Sequence, residues 1–149
     1  MKGFRGIIAN TKDGKLVGWI MGFEENLNDL NETLPKITGF NIGYICVLPA
    51  FRIRTTRLEK IRQLIAIGVF RGIIPRRISN FIFYILGDSP VIKLHTDFIN
   101  LLRELNYKYI SSKISGAQPH LEKFTYYTGY KKIGPWKSDP TKNIWLKMI

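Results

Sequence analysis

The stretch of sequence that decides the fold is ICVLPAFRIRTTRL, residues 45–58. Its first residues are apolar and β-prone, and Pro49 ends the strand that they predict. Thr56 and Glu59 have the spacing of a capping box, in which both side chains satisfy free N–H groups at the start of a helix. The stretch therefore predicts a buried strand that runs through a basic turn into a helix N-terminus, where free N–H groups and the helix dipole favour an anion.

Three predicted strands lie in the first third of the chain. Residues 4–10 and 16–23 are β-prone, and the intervening Asp13-Gly14 is a hairpin turn signal. Residues 39–48 predict a third, more buried strand. The polar segment 24–38 that precedes it predicts a loop or a short helical turn.

Helices dominate the middle of the chain. The helix that begins near Thr56 is expected to end before Pro75. Residues 78–87 are apolar and fit either a buried strand or a core helix, and the sequence leaves both open. Ser89 and Pro90 have the pattern of an N-cap followed by proline at the first helical position. The expected apolar stripes of the two helices are Leu58, Ile61, Leu64, Ile65 and Gly68, and Leu94, Phe98, Leu101, Leu102 and Leu105.

The last third of the chain alternates between strands and one short helix. Residues 107–114, 130–133 and 144–148 predict strands. Residues 118–127 predict a helix, and Gly129 supplies the left-handed residue that ends it. The last two strands are expected to be joined through loops at Gly134-Pro135 and Asp139-Pro140.

The resulting order, β-β-β-α-(β or α)-α-β-α-β-β, indicates an α/β domain with a mixed, mostly antiparallel sheet flanked by helices. A chain of 149 residues that is 45% hydrophobic suits a single domain, residues 1–149, and excludes disorder along its whole length. No apolar run is long enough for a membrane span. A single cysteine, Cys46, excludes a disulfide framework and a cysteine-rich zinc site. The first residues have no secretory pattern, so a cytoplasmic location is expected.

Positive charge is the strongest compositional signal, with a formal net charge of +12. Arginine is concentrated in residues 52–77 and lysine in residues 105–149. A positive surface of this kind attracts the phosphates of a cofactor, a nucleic acid or a lipid headgroup.

The stretch at residues 45–58 resembles the acyl-CoA-binding signature of the GNAT superfamily of N-acyltransferases, V-x-P-x-[YF]-[RQ]-x-x-G-x-[GA]-x-L. A second segment, residues 118–130, is similar to the family pattern N-x-x-A-x-x-F-Y-x-x-x-G-F, and residues 13–20 are similar to the family's second and third strands. The matching positions are Val47, Pro49, Phe51, Arg52 and Leu58 in the first segment, and Phe124, Gly129 and Tyr130 in the second.

The resemblance implies a GNAT-like domain that lacks the usual first strand and first two helices and carries a helical insertion around 75–105. It implies acyl-CoA-dependent transfer of an acetyl or other acyl group to an amine by direct attack, with acetyl-CoA or another acyl-CoA as co-substrate and no metal. Backbone N–H groups around Cys46–Leu48 would polarise the thioester carbonyl. The implied cofactor-binding residues are Cys46, Val47, Leu48, Arg52, Arg54, Thr55, Thr56, Arg57, Leu58 and Gln118.

The chain departs from the family pattern at catalytic positions. Thr55 and Arg57 stand where the family has two glycines. Thr125 stands where a tyrosine usually protonates the leaving thiolate, and a threonine hydroxyl is too weak an acid for that role. The catalytic candidates are therefore Tyr126, the next residue, and His120 as a base.

A second function class stays open, in which the chain is a catalytically inactive GNAT-derived basic domain. It would bind nucleic acid or a protein partner through Arg52 to Arg77 and the lysine-rich C-terminal part. A third hypothesis is that the protein attaches to a membrane surface through the apolar residues 78–86 beside Arg76-Arg77. The sequence also leaves open which amine is the acceptor and whether the chain forms a homodimer.

Four side chains have an ordinary interpretation beside a chemical one, which is a metal ligand for His95, a nucleophile for Cys46 and a base for Glu24 and Glu25. His95 is expected to be an ordinary surface or helix residue, since no metal-ligand spacing surrounds it. Cys46 is expected to be a small core residue. Glu24 and Glu25 follow a strand end, where they fit either a base at the mouth of a cleft or solvated loop residues.

Overall fold

A computed structural model describes residues 3–51, 57–75, 77–78 and 90–149. Most of the apolar segment 78–87 therefore lies outside the described residues, as do Thr56 of the expected capping box and Ser89 of the expected N-cap.

Strands and helices follow the predicted order wherever the chain is described. A 3-10 turn at Pro49–Phe51 follows the third strand. The strands are β1 (Arg5–Asn10), β2 (Leu16–Asn26), β3 (Thr38–Val47), β4 (Tyr109–Ser115), β5 (Lys131–Trp136) and β6 (Asp139–Met148), and the helices are α1 (Leu27–Leu30), α2 (Arg57–Phe70), α3 (Pro90–Glu104) and α4 (Pro119–Tyr127).

Six strands form one sheet in the order β1-β2-β3-β4-β6-β5. Every neighbouring pair is antiparallel except β3 and β4, which are parallel. A parallel pair needs a long crossover connection, and the segment that contains α2 and α3 provides it. The predicted class, a mixed and mostly antiparallel sheet flanked by helices, is confirmed.

Two clusters of buried side chains cover the two faces of the sheet. On one face α3 buries Leu94, Phe98 and Leu102 against Phe40 of β3 and Ile110 of β4. We call this the α3 face. On the opposite face, which we call the α1 face, the short helix α1 and the loop after it form a smaller cluster of Leu27, Leu30, Leu34 and Ile144.

Helix ends agree with the turn chemistry of the sequence. Gly129 ends α4 at φ +93°, a conformation that favours glycine, and the Tyr130 N–H donates a hydrogen bond to the Thr125 carbonyl at 3.1 Å.

The second predicted strand is longer than expected. β2 continues to Asn26, and Glu24 and Glu25 pair with β3.

Some expectations about faces and loops are wrong. Ile61 is 44% exposed, Leu64 is 67% exposed and Leu105 is 41% exposed, so none of these three belongs to a buried stripe. Gly134-Pro135 lies inside β5 at an irregularity of its pairing with β6, and β6 already begins at Asp139. Helical spacing identified the buried side of α3 through Leu94, Phe98 and Leu102, but it did not identify the buried side of α2 at Ile61 and Leu64.

In the described part of the chain, no helix combines the length and the apolar character that a membrane crossing requires. The same residues contain no group of three or more His, Cys, Asp or Glu side chains that could hold a metal ion.

Candidate active site

The two parallel strands at the centre of the sheet separate after a short paired stretch. β3 and β4 pair only at Phe40 with Ile110, Asn41 with Ser111 and Ile42 with Ser112. Beyond that point β3 continues to Val47 along β2, while β4 continues to Ser115 along β6. The strands therefore open a gap, and we call it the β3–β4 gap.

A bulge in β3 lies where the gap begins. Met21 of β2 pairs with Tyr44, and the next residue, Gly22, pairs with Ile42. Gly43 is thus the extra residue, with no partner of its own in that register. A bulge bends its strand and increases the local twist, which directs the end of β3 away from β4.

A cavity of about 210 Å³ occupies the β3–β4 gap. Residues 42–45 of β3 and 112–114 of β4 form two of its walls. Helix α4 contributes a third wall. His95 of α3 and Tyr130 close the cavity on the α3 face.

His95 and Tyr130 form a buried polar pair in that wall. His95 Nε2 lies 2.9 Å from the Tyr130 hydroxyl. Burial lowers the pKa of His95 to about 4, and the nearby Lys147 charge acts in the same direction. Burial also raises the pKa of Tyr130 above its usual range. At neutral pH the pair is therefore an uncharged imidazole beside a protonated phenol.

The catalytic candidates from the sequence lie away from the cavity wall. His120 is exposed in the first turn of α4, and Tyr126 places its ring edge-on against Phe70 of α2 at 5.4 Å between centroids. Neither lines the cavity. Thr125 does line it, and its hydroxyl donates to the Leu121 carbonyl at 2.6 Å.

The predicted cofactor-binding residues fall into three groups. Cys46, Val47 and Leu48 form the end of β3 and its first residue beyond, and the Leu48 N–H donates to the Val17 carbonyl at 2.9 Å. Gln118 is exposed at the N-cap of α4, without a side-chain capping bond. The third group lies where β3 leads to α2. Four of its members lie outside the described residues: Arg52, Arg54, Thr55 and Thr56. The other two, Arg57 and Leu58, are the first residues of α2, and their side chains are not described.

Polar side chains also flank the gap on the α1 face. Lys113 Nζ lies 2.8 Å from Glu25 Oε1 and 4.1 Å from the centroid of the Trp136 ring. Deeper in the same face the Asn41 amide donates to the Ser111 hydroxyl at 3.0 Å. The gap thus has a nonpolar wall with one neutral polar pair on the α3 face, and an ion pair on the α1 face.

Sequence reasoning did not single out His95, Tyr130 or Lys113 as site residues. A helical period does carry a signal for His95, because it lies three residues before the buried Phe98. No local pattern joins Lys113 to Glu25, since the contact depends on strands that are far apart in the chain.

No family model matches the chain, and no curated protein matches it. Solved structures do. A protein named as an acyl-CoA N-acyltransferase from Klebsiella pneumoniae superimposes with a TM-score of 0.58 at 11% identity, over 97% of this chain and 72% of that one. A protein assigned to the GNAT acetyltransferases from Desulfovibrio desulfuricans gives 0.55 at 13% identity, over 98% and 69%. A GNAT-family acetyltransferase from Listeria monocytogenes gives 0.52 at 13%, over 97% and 64%. At such identities the similarity establishes the fold.

Proposed function

Because the chain has the fold of the GNAT acetyltransferases, we propose that it is a member of that superfamily and an acyl-CoA-dependent N-acyltransferase. It transfers an acetyl or other acyl group from coenzyme A to an amine.

The β3–β4 gap is the observation that carries this proposal. Where the strands separate, the facing backbone edges of residues 43–46 and 113–115 lack a neighbouring strand in the register described. Backbone N–H and C=O groups require partners. The pantetheine arm of an acyl-CoA is a narrow chain with amide groups, so it can bind between such edges as a peptide does in β-augmentation.

The phosphates of the co-substrate would bind where β3 turns toward α2. The first N–H groups of a helix have no partner within the helix, and α2 begins at Arg57, shortly after the end of β3. Arg52, Arg54, Thr55, Thr56 and Arg57 are the side chains that we assign to this contact.

The departing sulfur takes up the proton that the attacking nitrogen loses, and the site can offer that sulfur a hydrogen bond. The amine nitrogen attacks the thioester carbon, a C–N bond forms, the C–S bond breaks and coenzyme A leaves as the thiol. Tyr130 lines the cavity with a protonated phenol, so we assign the hydrogen bond to the departing sulfur to Tyr130 in place of Tyr126. His95 supports this role if its Nε2 carries the proton, since the phenol hydrogen is then free to point into the cavity.

Calorimetric titration of the nucleic-acid-free protein with acetyl-CoA and with coenzyme A tests the proposal. We expect micromolar binding that Arg52→Ala weakens. Ser112→Phe should abolish it, because Ser112 lines the cavity and a phenyl ring would fill the gap. The matched control is Ser138→Phe, the same replacement in the exposed β5–β6 turn. Failure of both ligands to bind the folded wild-type protein would overturn the proposal.

A further inference from the structure

We propose that Lys113 is a self-acylation site, at which the Lys113 amine takes an acyl group from a thioester bound in the β3–β4 gap and Glu25 acts as the base. This inference rests on the proposed function, because it requires an acyl-CoA in that gap.

Lys113 is the first residue of β4 beyond the paired stretch. It follows Ser112, the last residue of β4 that pairs with β3, and it lines the cavity. Side chains alternate along a strand, and Ile110 and Ile114 pack on the α3 face. Lys113 therefore projects to the α1 face, which is the side of the gap opposite the His95–Tyr130 pair.

The Lys113 amine is held in position instead of being free in solvent. Its side chain is 15% exposed, and that of its partner Glu25 is 19% exposed. Trp136 lies on one side of the ammonium at 4.1 Å and Phe23 on another at 5.7 Å, both measured to the ring centroid. The ion pair of Lys137 with Glu32 is very different, since those side chains are 57% and 74% exposed.

Glu25 is the carboxylate in direct contact with this amine, which is the geometry that a general base requires. Its Oε1 already accepts the bond from Lys113 Nζ at 2.8 Å. Its Oε2 is buried and has no hydrogen-bond partner among the described residues. A buried carboxylate oxygen without a donor is uncommon, and it leaves Glu25 with an unused acceptor beside the amine.

The step balances without an added reagent beyond the acyl-CoA thioester. The Lys113 ammonium gives one proton to Glu25 and becomes a neutral amine. The nitrogen attacks the thioester carbon, the C–N bond forms and the C–S bond breaks. The second proton leaves the nitrogen for the thiolate, coenzyme A departs as the thiol, and Glu25 returns its proton to water. The product is an uncharged amide, so the ion pair with Glu25 is lost.

Peptide mass spectrometry after incubation of the full chain with acetyl-CoA tests the inference. Chemical acetylation without a binding site favours exposed lysines, so Lys137 serves as a reference within the same molecule. We expect Lys113 to be acetylated at least about tenfold faster than Lys137, despite its lower exposure. Excess coenzyme A should suppress labelling of Lys113 and leave Lys137 unchanged.

Three variants test the role of Glu25 and the identity of the labelled residue. Glu25→Gln should slow Lys113 acetylation by about tenfold or more. Glu32→Gln, the matched control, should leave it unchanged. Lys113→Arg keeps a positive charge beside Glu25 but removes the acceptor amine, so the label at position 113 should disappear.

The outcomes distinguish this inference from the function on which it rests. If calorimetry shows acetyl-CoA binding while Lys113 stays unlabelled, the inference is overturned and the proposed function stands. Labelling of Lys113 at the rate of Lys137, unaffected by coenzyme A, also overturns it. If acetyl-CoA does not bind at all, the proposed function falls as well.

Discussion

At the scale of single residues, the His95–Tyr130 pair is the most constrained polar contact of the cavity. Both side chains are almost completely buried, and their 2.9 Å contact pairs a ring nitrogen with a hydroxyl in the cavity wall. Phe124 and Tyr130 enclose the imidazole with rings at 5.6 Å between centroids. Such an environment accommodates a neutral histidine and disfavours a charged one.

The pH dependence of stability follows from this burial. The pKa of His95 is about 4 in the folded protein, below its ordinary value of 6.5, so the unfolded chain binds the proton more tightly. The part of the free energy of unfolding that depends on a neutral His95 is therefore fully present above about pH 6.5. About 3 kcal/mol of it is lost as the pH falls to 4. Urea unfolding from pH 7 to pH 4 should show a smaller loss for His95→Gln than for the wild type. Equal losses in the two proteins would contradict a buried neutral imidazole.

Removing the phenol oxygen should also weaken the fold. Tyr130→Phe keeps the ring and deprives His95 Nε2 of its hydroxyl partner, at an expected cost of about 1–2 kcal/mol in the free energy of unfolding. Because the two groups bond to each other, the double variant with His95→Gln should cost less than the sum of the single variants. Additive free energies of unfolding at pH 7 would show that the pair does not interact.

At the scale of strands, the bulge at Gly43 accounts for the position of the gap. Gly22 lies on the neighbouring strand where the register shifts, and a Cβ there would lie 2.1 Å from the Asn41 carbonyl oxygen. At Gly43 the nearest atom to a Cβ would be 3.7 Å away, on the Phe23 ring. Gly22 and Gly43 therefore differ in the space available for a side chain. A methyl group fits at Gly43, but at Gly22 it would collide with the backbone of β3.

A pair of alanine substitutions tests this difference. Gly22→Ala should lower the free energy of unfolding by more than about 2 kcal/mol, because backbone of β3 must move. Gly43→Ala should change it by less than about 1 kcal/mol, since its Cβ makes only ordinary contacts. Chemical unfolding of both variants provides the measurement. Similar destabilisation by the two substitutions would show that the bulge is not where the register of β2 and β3 puts it.

Local signals predicted the elements well where one residue type has one structural meaning. Pro49 ends a strand, Gly129 ends a helix, and Pro90 begins one, as the sequence indicates. Faces were harder to predict. Leu64 has the helical spacing of a core residue and is exposed, since the packing of α2 depends on distant parts of the chain.

At the scale of the whole molecule, the sequence predicted a mixed, mostly antiparallel sheet, and a resemblance in three short segments predicted the fold. The site was less predictable. Lys113 and Glu25 are 88 positions apart in the sequence, and they come into contact only when the sheet has formed. His95 belongs to a helix outside the segments that carry the resemblance, so nothing in those segments pointed to it.

The net charge of +12 should make co-substrate binding depend on salt. The phosphates of acetyl-CoA are attracted to a positive protein, and this attraction is screened as ionic strength rises. We expect the Kd for acetyl-CoA to rise at least about threefold between roughly 50 mM and 500 mM sodium chloride. A Kd that is independent of salt would place the phosphates away from the basic segment.

The most direct test of the central claim, that the β3–β4 gap binds acyl-CoA, is a titration of the ¹⁵N-labelled protein with acetyl-CoA followed through its amide NMR signals. The account predicts that the largest shifts occur at residues 42–48 of β3 and its end, and at residues 112–115 of β4. Shifts confined to the lysine-rich β5–β6 hairpin, with these two segments unchanged, would contradict it.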